Sequence, residues 1–184
     1  MHEIKNPLIA QRMFDEAGKW TWVWLGVRLY LGYEWFLAGW HKLFDPAWME
    51  GGFAVKAYWE RVLVIPVPPA RPMVAYGAYR DFLEFLLLGN HQAWFAKLIV
   101  FGELAVGIAL ILGAFVGIAA FFGAFMNFNF LLSGTASTNQ ILFLGAIFLM
   151  LAWKTAGYYG LDRWLLPRLG TPWGRTWGGR ARGT

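Results

Sequence analysis

WTWVWLGVRLYLGYEWFLAGWHKLF, residues 20–44, reads as a membrane-spanning helix that carries Arg28 and Glu34 inside an apolar run. A bilayer core needs about 20 such residues. Ionisable groups at that depth cost roughly 2.5–3.5 kcal/mol each on insertion scales, so each calls for a partner or a task. The run closes on Gly39, Trp40, His41 and Lys42, where a ring and two cationic or titratable side chains meet the expected water boundary. Something polar is held at or below one membrane face.

The rest of the chain has the same character. Of 184 residues, 58% are hydrophobic and 15% charged, with 12 Trp and 16 Phe, a balance that a water-soluble domain of this size does not show. The expected fold class is all-α: an integral membrane four-helix bundle in one domain, residues 1–184, with amphipathic interfacial helices in a long first connection. With no cysteine, disulfides, thiolate metal sites, iron–sulfur ligation and covalent haem attachment are excluded. Redox chemistry then needs a diffusible carrier or a partner's centre. The N-terminal residues lack a short apolar core with a small-residue cleavage site, so the first span is expected to direct insertion.

Residues 1–19 have Ile4, Leu8, Ile9 and Met13 near helical spacing and read as a surface helix or a solvated tail. The spans are placed at about 20–40, 94–112, 117–132 and 140–156. Between the first two, residues 41–93 hold an amphipathic piece (52–64), a proline-rich break (65–72) and a second helical piece (73–89) with an Arg80 to Glu84 i,i+4 pair. Both helical pieces carry too much charge to span and are expected to pack over the bundle. Residues 1–19 carry three basic and three acidic groups, residues 154–184 six and one, and residues 41–93 five of each. The positive-inside rule therefore puts both termini in the cytoplasm and the connection outside, in a multi-pass protein of the cell membrane. The Arg/Gly/Trp-rich tail, 157–184, is explained by topology and anionic lipid, not nucleic acid.

At about 1.5 Å per residue from the outer face, Glu34 lies roughly 9 Å deep, Glu103 roughly 13 Å, Asn127 roughly 8 Å and Arg28 roughly 18 Å. Glu34, Ala38 and His41 share one face of the first span, and Arg28, projecting elsewhere, is expected to pair with Glu103. Gly102 and Gly107 permit close helix approach, and Gly117, Ala120, Ala124 and Asn127 share a face of the third span. An Arg28–Glu103 pair can be purely structural, but Glu34, His41, Lys42, Lys97 and Asn127 exceed what one such pair requires. The layer suits attraction of a small anion by the cations, and binding of a quinone head group by carboxylates and imidazole beside aromatic rings such as Trp35 and Trp40. The candidate catalytic set is Glu103, Glu34 and His41; the candidate substrate and quinone ligands are Arg28, Lys42, Lys97, Asn127, Trp35 and Trp40. No metal-ligand spacing, P-loop, dinucleotide fingerprint or serine elbow is present.

RLYLGYEWFLAGWHKLF in the first span, GELAVGIALILG in the second and AGYYGLDRWL after the fourth resemble the DoxX/DoxD membrane-protein family, across about residues 20–166. For the DoxD branch the resemblance implies a four-helix membrane bundle and a subunit of thiosulfate:quinone oxidoreductase, which oxidises thiosulfate to tetrathionate and passes two electrons to quinone. It implies a second, DoxA-like or other redox subunit, the lipid bilayer and a small anion as partners, and quinone as diffusible acceptor without a covalent cofactor. The matching polar positions are Arg28 and Glu103 as an interior pair, Lys42 on the anion side, and Asp162 in a structural role such as capping. The alternative is a non-catalytic membrane scaffold that anchors a partner redox protein, with the buried charges specifying helix pairing. A small-solute transporter fits less well, for want of an internal repeat or a broken span.

Overall fold

The computed structural model describes residues 13–14, 18–135 and 138–169. Over them the chain is all-helical: α1 (Trp20–Leu43), α2 (Pro46–Met49), α3 (Phe53–Leu63), α4 (Gly77–Leu88), α5 (Gln92–Leu112), α6 (Val116–Leu132), α7 (Asn139–Leu151), α8 (Trp153–Ala156) and α9 (Asp162–Leu169). The tail beyond residue 169 and most of the N-terminal segment lie outside the described residues, as do the expectations placed on them.

Helices α1, α5, α6 and α7 pack around one core of Trp24, Leu31, Trp35, Leu110, Ala120 and Leu149, with other small and branched residues between them. Small residues decide how close the helices come. A methyl group on Gly107 would lie 2.5 Å from the Phe36 backbone nitrogen, so α5 crosses α1 nearly backbone to backbone, as its sequence suggested. Gly102 has no such constraint, its nearest neighbour being the Met126 sulfur at 3.3 Å from a built Cβ.

The outward faces are apolar. On α5 and α6, Leu98, Phe101, Ile118, Phe121, Phe122 and Phe125 are all exposed. Among the described residues, α5 is the one helix long and apolar enough to cross a membrane by length and composition (21 residues, hydropathy 2.2). Trp, Tyr, Arg28 and Glu34 dilute α1, whereas α6 and α7 are shorter, with 17 and 13 residues.

The connection is a folded layer with its own core. Asp45 caps α2 by accepting from the Ala47 N–H (2.9 Å), with Pro46 at the first helical position. Trp59, Val62, Leu83 and Leu86 of α3 and α4 bury against Ala96 on the first turns of α5. Burying side chains of this size contributes roughly 1.5–3 kcal/mol each. The expected Arg80–Glu84 pair is present at 3.9 Å, while Arg80 also donates to the Leu63 carbonyl at 2.9 Å and so ties α4 to the end of α3. Tyr79 donates to the Asn129 carbonyl at 2.9 Å, fastening α4 to α6. Burial, assisted by Tyr58, pushes the Tyr79 phenol up to about 12, which keeps it a donor.

Candidate functional site

A cavity of about 280 Å³ opens where the connection meets the bundle. Helix α1 lines it with Glu34, Ala38 and Lys42 at successive i,i+4 positions and with Trp35; α5 supplies Glu103, and α6 Asn127 and Phe130. The ladder begun by Glu34 and Ala38 therefore continues to Lys42; His41 is exposed on another face. Lys42 Nζ donates to both oxygens of Glu103, at 2.5 and 2.6 Å, and lies 4.7 Å from the centre of the Trp48 ring. An ammonium bound by two carboxylate oxygens and one aromatic face is restricted in direction.

The sequence-based pairing of Arg28 with Glu103 is wrong, and helix register is the reason. It assumed that the outer ends of the first two spans stand level. In the fold, a Cβ on Gly39 would lie 2.9 Å from the Leu104 nitrogen, so Glu103 stands level with Gly39, one turn from Lys42 and roughly 16 Å along α1 from Arg28. Helix α5 begins well beyond that level because its first turns are buried in the core of the connection.

Arg28 instead belongs to a lock at the opposite end of the bundle. It is 1% exposed, donates from Nη2 to the Tyr159 carbonyl at 3.0 Å, and packs against the α5–α6 turn. A Cβ on Gly113, where φ is +67°, would fall 1.7 Å from Arg28 Nη1, so only glycine permits both this turn and this guanidinium. Asp162, from the motif after the fourth span, accepts from the backbone N–H groups of Phe115 (2.6 Å) and Val116 (2.9 Å) and so caps α6. Burial pushes the Asp162 carboxyl up, against the pull of those two donors and of Arg28. The capping role read for Asp162 is present, and Arg28 acts on it electrostatically.

Glu34, Glu103, Lys42, Asn127 and Trp35 thus converge on one cavity, whereas Arg28, His41, Lys97 and Trp40 do not line it. Lys97 is exposed, and Trp40 is 45% exposed between Phe36 and Phe44. Trp48, Phe130, Thr138 and Asn139 line the cavity without having been singled out from sequence. The Asp-Pro start of α2 is a legible cap signature that could have pointed to Trp48, and beginning the last span at residue 140 cut off Asn139. Glu34 forms no ion pair among the described residues. Asn127 is 3% exposed, and its Nδ2 donor has no hydrogen-bond partner among the described residues. A buried amide donor left without an acceptor costs about 1–3 kcal/mol, which a ligand acceptor would recover.

A helical bundle with apolar outer faces, a folded cap and a polar cavity beneath it defines the class: an all-helical protein whose bundle buries Arg28 and Glu103 while apolar side chains face outward. The chain belongs to the DoxD family, whose model, described as TQO small subunit DoxD, matches residues 23–177. That family is membrane-associated, and a small subunit implies a partner chain. No curated protein and no solved structure matches the chain.

Proposed function

We propose that the chain is the membrane-embedded small subunit of a thiosulfate:quinone oxidoreductase and that the quinone head group binds in the cavity under the connection. Helices α1, α5 and α6, together with α7 continued by α8, are the four spans, with the termini cytoplasmic and the connection outside. Their exposed apolar faces support this reading.

The Asn127 Nδ2, without a hydrogen-bond partner among the described residues, is the observation that carries the proposal: a buried donor inside the cavity, able to bond a carbonyl oxygen. Trp35, Trp48 and Phe130 supply flat apolar surface for a ring, and about 280 Å³ approaches the roughly 300 Å³ at which small-ligand pockets begin. Two thiosulfate ions joined through a sulfur–sulfur bond give tetrathionate and two electrons; quinone takes up the two electrons and two protons to become quinol. Glu34 and the Lys42–Glu103 pair are the protonatable groups beside the ring oxygens.

The test is thiosulfate-dependent quinone reduction by the purified complex. Asn127→Leu should raise the quinone KM, while Glu34→Gln should lower kcat with folding intact. Full turnover in both variants would remove the cavity from the reaction. A non-catalytic scaffold would show partner recovery falling without any quinone bound.

A further inference from the structure

The cavity is built with an imbalance of charge. Glu34, Glu103 and Lys42 are its ionisable lining groups among the described residues, and Lys42 is already held by both oxygens of Glu103. Among the described residues, Glu34 therefore stands in the cavity as a carboxyl group with no cationic partner. The other cations assigned to the layer from sequence, Arg28 and Lys97, do not line it, and His41 is exposed outside it. A group that accepts hydrogen bonds is offered the Asn127 amide, but a second full negative charge meets like charge in a partly enclosed space, which is strongly unfavourable.

Resting on the quinone reading of the same cavity, we infer that Glu34 is its specificity-determining residue: it admits an uncharged, carbonyl-bearing ring and closes the cavity to sulfur–oxygen dianions. Thiosulfate is then oxidised outside this cavity, its two electrons passing through a redox-active group of the partner chain to the quinone, which takes up two protons to become quinol. Lys42, which the sequence placed on the anion side, serves instead to hold Glu103. The division follows the charges of the two substrates, one a dianion and one neutral.

The experiment uses the full chain in mild detergent and a short-chain benzoquinone, read by quenching of tryptophan emission, with thiosulfate or sulfate as competitor at ionic strength matched with sodium chloride. In the unaltered chain, millimolar dianion should leave the apparent Kd for the benzoquinone unchanged. Glu34→Gln removes the unmatched charge, and Glu34→Gln with Glu103→Gln also frees Lys42. Each variant should become sensitive to the dianion, the double variant by about tenfold or more in apparent Kd. The single variant keeps the test available if the double one does not fold, because Glu34 has no ion pair to lose among the described residues. Competition by thiosulfate in the unaltered chain, abolished by Lys42→Gln, would overturn the inference while leaving the oxidoreductase reading in place. Dianion-insensitive binding in both Gln variants would also overturn it. Failure of the benzoquinone to bind at all would remove the quinone site and this inference together.

Discussion

The Lys42–Glu103 pair offers the sharpest energetic test, because its geometry is specific and the sequence pointed to a different partner. The Glu103 side chain is 6% exposed and that of Lys42 19%, and the charged atoms approach to 2.5 Å. At an effective dielectric of about 20 the gross attraction is on the order of 6 kcal/mol, most of it offset by desolvation. Removing one partner leaves a buried charge uncompensated: Lys42→Met should cost about 3–5 kcal/mol. Glu103→Gln should cost less, about 2–3 kcal/mol, because an amide oxygen and the Trp48 ring still face the ammonium. The double variant Lys42→Met with Glu103→Gln should lose little more than the worse single change, leaving a coupling energy of roughly 2–3 kcal/mol. Denaturant titration of the detergent-solubilised protein, followed by tryptophan emission, measures all three. The matching cycle of Arg28→Met with Glu103→Gln should couple by less than about 0.5 kcal/mol, since the two groups share no partner. A large Arg28–Glu103 coupling with none between Lys42 and Glu103 would refute the register of α1 against α5.

Three further outcomes follow from the fold. Asp162→Asn, which keeps one acceptor for the Phe115 and Val116 amides, should lower stability by about 1–2 kcal/mol and Asp162→Ala by roughly 2–4 kcal/mol, both read by denaturant titration; equal, negligible losses would remove its capping role. Gly107→Ala places a methyl against the Phe36 backbone and should cost about 1–3 kcal/mol, whereas Gly102→Ala meets only the end of the Met126 side chain and should stay within about 0.5 kcal/mol; similar values for both would contradict the crossing. Because the folded chain holds the Tyr79 proton more tightly than an ordinary phenol, its contribution is complete below pH 10.0 and declines as pH rises through about 12. Tyr79→Phe should flatten that alkaline decline in a pH series of denaturant titrations, and an unchanged slope would count against it.

How much was legible before folding differs from residue to residue. The helices, the amphipathic pieces of the connection and the close approach at Gly107 are written in composition and local spacing, because apolar length, helical periodicity and small residues act over a few turns. Glu34, Glu103, Lys42, Asn127 and Trp35 could be drawn to one layer by counting rise along separate helices. Their partners could not be assigned that way. Counting from assumed membrane edges treats every helix as starting at the same height, and α5 violates this by extending into the core of the connection. The offset, about eight residues or roughly 12 Å along α1, moved Glu103 from Arg28 to Lys42.

Residues 20–44 by themselves determined a long helix with ionisable groups set in an apolar run, since helical periodicity and the cost of burying a charge such as Arg28 depend on the chain's own chemistry. Only the tertiary structure decided what each charge meets. Arg28 closes a lock with Tyr159 and Asp162 at one end, while Lys42 pairs with Glu103 at the other and leaves Glu34 in the cavity without an ion pair among the described residues. The physical reason is that ion pairs depend on the axial register of packed helices, which is set by backbone contacts such as Gly107 with Phe36 and not by any property of one helix alone.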